Sequence, residues 1–312
     1  MSSQIAFVFP GQGSQQVGML ADLHEQETII RDTFTEASEA LGIDLSGIIL
    51  TGPGEQLNST EITQPALLTC SVALWRLWQQ RSELRPAYMA GHSLGEYSAL
   101  VCANSINFAD AVKVVNMRGQ LMQQAVPAGE GAMAAILGLT DEQVRTACEQ
   151  AANGDVVSAV NYNSPGQVVI AGSAAAVERA IGHCKEAGAK RALALPVSVP
   201  SHCELMRPAA EQLAQTLNNI AFVTPEIPVV QNVAAKVASS PEQVRENLLQ
   251  QLYSPVLWVD SVQMLANSGV SVLFECGPGK VLSGLAKRID RSLSATSIES
   301  ADGFAKALEL TS

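Results

Sequence analysis

Positive charge is scarce in this chain: 19 Lys and Arg stand against 30 Asp and Glu, for a net charge of −11 over 312 residues. Such a balance excludes nucleic acid and anionic membranes as expected partners, and any acidic partner must dock on a local basic patch. Long apolar runs are missing as well. No stretch approaches the roughly 18 apolar residues of a membrane-spanning helix. Ile5 to Phe9 is too short, and too poor in flanking basic residues, for a secretory signal. None of the six cysteines (Cys70, Cys102, Cys148, Cys184, Cys203, Cys276) forms a C-x-x-C pair. That spacing gives no metal or redox motif and reads as reduced thiols in a cytoplasmic protein. Repeats and low-complexity tracts are absent. What remains is 47% apolar, enough for a sizeable core and too much for a disordered chain.

The chain is organised around Ala87 to Asn104. Ala87 to Ala90 is a short apolar run that reads as a buried strand, and a helical pattern begins just after Gly91-His92-Ser93-Leu94-Gly95. Strand, tight G-x-S-x-G turn and helix make the setting of a nucleophile elbow. Three fixed positions match by chance about 0.1 times in a chain this long, so the strand and helix around the motif add much of its weight. Ser93 would sit at the apex, with the unpaired N–H groups of the helix start, that of Leu94 first, facing an oxyanion.

Around the elbow, Gln4 to Phe9 reads as a central parallel strand running into Pro10-Gly-Gln-Gly-Ser-Gln15. Loops at the carboxyl ends of such strands are where α/β sheets hold ligands, and Gln12 offers both a donor and an acceptor there. Helices are expected over Ile29 to Leu41, over Thr63 to Arg81 with Pro65 in the first turn, and over Phe108 to Val126. Arg118 lies among Val114, Val115, Met117 and Leu121 on the last of these, so its guanidinium is either snorkelling or paired.

From Ala132 the expected order is strand, helix (141–152), strand (156–161), turn (163–166), strand (167–171), helix (174–187) and strand (191–197). This β-α-β-β-α-β series is the ferredoxin-like arrangement. The fold class is therefore α/β: a mostly parallel core of α/β-hydrolase type (1–127 and 199–312) with a ferredoxin-like insert (128–198).

A nucleophilic serine needs a base, and the chain holds four histidines. His92 is next to Ser93 and faces elsewhere; His24 in a polar loop and His183 on a polar helix read as surface residues. His202, where a strand ends between prolines, remains. No carboxylate between Ser93 and His202 lies at the strand end where α/β-hydrolases keep their acid. A backbone carbonyl or an amide could orient the imidazole instead. A base without a buried anion behind it is weaker, which suits an acceptor such as a thiol of pKa ~8.5 rather than water.

Six ordered segments resemble the bacterial malonyl-CoA:acyl carrier protein transacylase family over nearly the whole chain. They are Phe9-Pro-Gly-Gln-Gly-Ser-Gln15, Gly91-His-Ser-Leu-Gly-Glu-Tyr97, Met117-Arg-Gly119, Tyr162-Asn-Ser-Pro-Gly-Gln167, Val199-Pro-Ser-His202 and Glu275-Cys-Gly-Pro-Gly279. The resemblance implies Ser93 as the malonyl-ester nucleophile, His202 as its base and the Gln251 carbonyl as the group orienting His202. It implies Arg118 as the clamp on the malonyl carboxylate, and the Gln12 and Leu94 N–H groups as the oxyanion hole. Malonyl-CoA and acyl carrier protein are the expected substrate and partner, with no metal and no bound cofactor. Ser201 stands where many relatives carry an aromatic, and Leu257 where many carry arginine. The rival enzyme is a serine thioesterase or carboxylesterase on the same core, which should carry an acid behind His202 and has no use for a buried Arg118. A third reading is a catalytically silent carrier-binding module, against which an intact Ser93 with a base argues. Carrier docking is expected on Lys280, Lys287 and Arg288, spaced i, i+7, i+8 on a helix, with Lys190 and Arg191 as the alternative or as a site for a CoA phosphate.

Overall fold

Gln4–Phe9 forms β1 at the centre of a six-stranded sheet, as its unbroken apolar run requires. In the computed structural model, which describes residues 4–197 and 199–310, β1 pairs in parallel with β2 (Tyr88–Gly91) and with β9 (Val270–Glu275). Outward from these, β7 (Val229–Gln231) lies parallel to β2 and β10 (Ser294–Ser297) parallel to β9. The short β8 (Lys236–Val237) closes the β7 edge antiparallel. Side chains alternate across β1. Phe7 meets Trp75, Trp78 and Phe274 edge-on at 5.1–5.5 Å between ring centroids, so the two tryptophans are core. Ala6 and Val8 face the second layer with Val230, Trp258 and Leu273.

Between β1 and β2 run α1 (Ala21–Gln26), α2 (Thr28–Leu41), α3 (Leu45–Thr51), α4 (Gly54–Leu57) and α5 (Thr60–Arg81). Gly42 ends α2 with φ 68°, a left-handed cap that glycine adopts without strain. His24, expected in a loop, lies on α1, half-buried and tilted against Phe34 at 5.2 Å. α5 starts three residues before the expected Thr63, which puts Pro65 in its second turn. Proline has no N–H for the carbonyl four residues back. The Glu61 carbonyl accepts instead from Asn116 Nδ2 at 2.8 Å. Asn116 lies on α7 (Phe108–Ala125), which follows α6 (Gly95–Cys102). Gly119 permits this approach, because a Cβ there would stand 2.6 Å from the Glu61 Cα.

The following stretch builds β3 (Gly131–Leu137), α8 (Asp141–Ala152), β4 (Val157–Ser164), β5 (Gln167–Ser173), α9 (Ala174–Glu186) and β6 (Arg191–Ala194). Its four strands form an antiparallel sheet in the order β4-β5-β3-β6. One face (Ala134, Ile136, Val168, Ile170) packs under α8 and α9, and the other (Met133, Val160, Val169) faces Cys203 and Leu205. β4 runs into the expected turn as far as Ser164, leaving Pro165-Gly166 as the tight turn. β6 stops at Ala194 rather than Val197, because Pro196 has no N–H to continue the ladder. Ser198, at the expected domain boundary, lies outside the described residues. The chain then returns through α10 (Arg207–Asn218) to β7, and through α11 (Pro241–Gln251) and α12 (Trp258–Asn267) to β9. α13 (Val281–Ile289) leads to β10, and α14 (Ala301–Glu309) ends the described chain. Val256, packed in the layer with Ala6 and Val8, is bonded to β4: it donates to the Val160 carbonyl at 2.8 Å and accepts from the Tyr162 N–H at 3.1 Å.

Candidate active site

The elbow forms because glycine flanks it where nothing else fits. A Cβ on Gly91 would overlap the Gly95 carbonyl, and one on Gly95 would overlap the Phe9 carbonyl. Ser93 at the apex takes φ 52°, a left-handed backbone that costs a non-glycine residue about 1–3 kcal/mol and persists only when its surroundings hold it. Asn232, just after β7, supplies part of that hold: its Oδ1 accepts from the Ser93 N–H at 2.7 Å, and its Nδ2 donates to the Gly91 carbonyl at 2.6 Å.

His202 Nε2 stands 2.8 Å from Ser93 Oγ, and its Nδ1 stands 2.6 Å from the backbone carbonyl of Gln251. A carbonyl can only accept, so Nδ1 carries the proton and Nε2 is the free base. The Ser93 hydroxyl therefore donates to His202. Burial, reinforced by the Arg118 charge, pulls the His202 pKa down to about 3. The imidazole is neutral, and able to accept a proton, across the physiological range. His92 does not compete, since its Nε2 lies 2.8 Å from Asn163 Oδ1 and its ring packs at 5.5 Å against Trp258.

Arg118 is the most unusual group here. It is 1% exposed, yet every hydrogen bond it makes is to a neutral oxygen. Nη1 donates to Gln64 Oε1 at 2.8 Å, and Nη2 to Gln251 Oε1 at 3.1 Å and Ser93 Oγ at 3.4 Å. Its Nε–H has no partner among the described residues. Burial pushes its pKa down, so the site holds a desolvated cation without an anion bonded to it. A cleft of about 340 Å³ opens beside these groups, bordered by Gln12, Ser93, Leu94, Arg118, Met133 and His202. Gln12 comes from the loop after β1 and holds Thr60 Oγ1 at 3.4 Å through its side-chain amide. Leu94 starts α6, where N–H groups lack partners within the helix. A hydroxyl nucleophile, a neutral base, N–H groups at a helix start and an unpaired guanidinium can together attack and hold an acyl group that carries its own carboxylate.

A family model described as the acyl transferase domain matches residues 6–302. The chain belongs to the acyl transferase family. It is 60% identical over 308 residues to the malonyl CoA-acyl carrier protein transacylase of Escherichia coli K12, covering 99% of this chain and 100% of that protein. Against the Bacillus subtilis protein of the same name, identity is 46%, covering 98% and 97%. Among solved structures, an acyl carrier protein S-malonyltransferase from Vibrio cholerae superposes with a TM-score of 0.96 at 58% identity, covering 98% of this chain and 100% of that one. A malonyl-transacylase in complex with its type II PKS acyl-carrier protein gives 0.97 at 55% identity, covering 99% and 100%.

In this acyl transferase, two further polar residues stand at the centre of the site, Gln64 with no local sequence signal and Asn232 with a weak one. Gln64 sits on the α5 face that meets α7, and Asn232 at the carboxyl end of β7, where a polar residue after an apolar strand is the available hint. Glu96, one of the carboxylates between Ser93 and His202 and on a helix rather than at a strand end, is fully buried behind Gln251. The basic residues stand apart. Lys190, Arg191, Lys280, Lys287 and Arg288 are exposed and do not border the cleft. Lys280 precedes α13 with φ −143°, so the helical alignment expected of three residues reduces to Lys287 and Arg288. Arg288 is also engaged, its Nη1 donating to Gln167 Oε1 on β5 at 2.7 Å.

Proposed function

We propose that this acyl transferase moves a malonyl group from malonyl-CoA to the phosphopantetheine thiol of acyl carrier protein through a malonyl ester on Ser93, supplying fatty-acid elongation. The observation that carries the reading is Arg118: a buried guanidinium against the nucleophile, bonded only to neutral oxygens. The names of the relatives support the same substrate and partner.

In the first half-reaction the Ser93 proton passes to His202 Nε2 as Oγ attacks the thioester carbonyl. The Leu94 and Gln12 N–H groups stabilise the oxyanion, and the substrate carboxylate pairs with Arg118. When the tetrahedral adduct collapses, the imidazolium protonates the departing CoA sulfur. The carrier thiol then gives its proton to the same nitrogen and attacks the ester, and as the second adduct collapses the imidazolium returns that proton to Ser93 Oγ. The Gln251 carbonyl holds the Nδ1 tautomer throughout without supplying the negative charge of a triad acid. A base so supported suits a thiol better than water, which disfavours the thioesterase or carboxylesterase alternative. Malonyl-CoA enters as a substrate, and no resident cofactor is needed for these steps.

We also divide the chain into a core of α/β-hydrolase type (1–127 and 199–312) and a ferredoxin-like insert (128–198). The β-α-β-β-α-β order and the antiparallel sheet β4-β5-β3-β6 support the second assignment. No helix among the described residues is long and apolar enough to cross a membrane, and a cytoplasmic location accords with the reduced thiols. The test is transfer itself. With malonyl-CoA and pantetheinylated carrier, the enzyme should add a malonyl mass to the carrier. Free malonate accumulating with the carrier unloaded would make it a hydrolase.

A further inference from the structure

Glu96 is the carboxylate nearest in kind to the missing triad acid, and the steps above do not use it. It lies one helical turn after Ser93, 0% exposed. Its Oε2 accepts from the Asn232 N–H at 2.8 Å and from Gln251 Nε2 at 3.0 Å, while Oε1 has no partner among the described residues. Both donors belong to residues that hold the reacting groups. Asn232 bonds Ser93 N–H and the Gly91 carbonyl. Gln251 bonds the Ser93 carbonyl at 3.1 Å through Nε2, Arg118 through Oε1 and His202 through its backbone. The Gln251 amide is thus a bridge, with Glu96 at its nitrogen and Arg118 at its oxygen.

Few other charges share this interior. Arg118 on α7 and Tyr97 beside it on α6 are the groups whose fields couple to Glu96, and His202 lies across Gln251. β1, β2 and β7 carry no charged side chain. On α5, Arg76 and Arg81 are bonded to Glu36 and Glu27, Cys70 is held neutral by burial, and Glu61 is half-buried at the helix start. With the cleft empty, the buried balance is therefore Arg118 against Glu96. A second carboxylate brought to Arg118 would leave two anions around one cation in a desolvated pocket. Buried anions in that position neutralise by protonation rather than stay unpaired.

We propose that Glu96 is the counter-charge of Arg118 in the empty enzyme, and that it takes one proton from bulk water when a substrate carboxylate docks on Arg118. Glu96 thereby acts as a specificity-determining residue: an acyl-CoA bearing a carboxylate draws in a proton, and a neutral acyl-CoA does not. The inference rests on the malonyl reading above. Burial holds the Glu96 pKa up at about 7, with its hydrogen bonds to Asn232 and Gln251 and the Arg118 charge opposing that rise. A carboxyl so poised is largely ionised at pH 8 and has a proton still to gain.

The test is calorimetric titration of the Ser93→Ala protein with malonyl-CoA at pH 8, in two buffers of different ionisation enthalpy. Acetyl-CoA on the same protein subtracts the CoA phosphates. Malonyl-CoA should take up close to one proton more than acetyl-CoA. Its Kd should weaken about tenfold from pH 6 to pH 8, as linkage to a single group near 7 requires, while the Kd of acetyl-CoA does not follow. In Glu96→Gln the amide oxygen can still accept from Asn232 and Gln251, so the excess uptake and the slope should vanish while binding persists. Malonyl-CoA binding without excess uptake overturns the inference alone, as does equal uptake by Glu96→Gln. If that variant does not fold, the uptake and slope in the Glu96 protein still decide. A Ser93→Ala protein that does not bind malonyl-CoA overturns the malonyl reading as well.

Discussion

Replacing Arg118 by methionine keeps much of the aliphatic stem that fills the interior and removes the guanidinium. In the parent, a malonyl carboxylate in the cleft would face this cation where water is excluded. Removing one side of a buried ion pair costs about 3–5 kcal/mol, because the other side is left stranded. At 1.36 kcal/mol per tenfold, that is a fall of roughly 10²–10⁴ in kcat/KM for malonyl-CoA. Acetyl-CoA has no carboxylate to strand. It shares the loss of neutral hydrogen bonds to Gln64, Gln251 and Ser93, each about 0.5–1.5 kcal/mol, part of which water in the vacated space restores, and Glu96, left without its counter-charge, takes up a proton. Acetyl transfer should thus stay within about tenfold of its parent value, the range of one such bond. The assay is steady-state kcat/KM for both thioesters on parent and variant, with a melting curve to establish folding. Equal losses for the two substrates would make Arg118 a structural residue and remove the main support for a carboxylate-bearing acyl group.

Because His202 is held near 3, its imidazole stays neutral well below the point where an ordinary histidine protonates. The acylation rate at saturating malonyl-CoA should change less than about twofold between pH 7.5 and pH 6, whereas an imidazole of pKa 6.5 would be about three-quarters protonated by pH 6. A fourfold fall, read by stopped flow, would refute the depressed base. Lys287→Glu should raise the carrier KM and flatten its salt dependence while leaving enzyme acylation by malonyl-CoA intact; an unchanged carrier KM moves docking off α13. Asn116→Leu strips the donor from the carbonyl that Pro65 frees and should cost about 1–3 kcal/mol, several degrees of melting temperature. An unchanged Tm would mean that the Glu61 carbonyl finds another donor.

Much of this arrangement is legible in the sequence wherever it is local. Gly91 and Gly95 announce the elbow because the backbone leaves no room for a Cβ, and the period of two followed by 3.6 marks out β3 to β6. Elimination among four histidines reaches His202 because each of the others has an ordinary neighbourhood. What escapes is carried by contacts between distant positions. Glu96 meets Asn232 and Gln251 across 136 and 155 residues, and Arg118 meets Gln64 across 54. No periodicity encodes such pairs, and a glutamate in an apolar helix looks the same whether it is buried or not. The start of α5 escapes for a related reason. Pro65 looks like a first-turn residue until Asn116, on another helix, is seen to satisfy the carbonyl that it abandons.

The claim on which the rest depends is that Ser93 carries the acyl group. The direct measurement is the intact mass of the protein after brief mixing with malonyl-CoA without carrier, followed by peptide mapping. A single malonyl adduct is expected on the peptide containing Ser93, discharged on addition of carrier thiol and absent from a folded Ser93→Ala protein. An adduct on another residue, or transfer to carrier at the parent rate by Ser93→Ala, would contradict it.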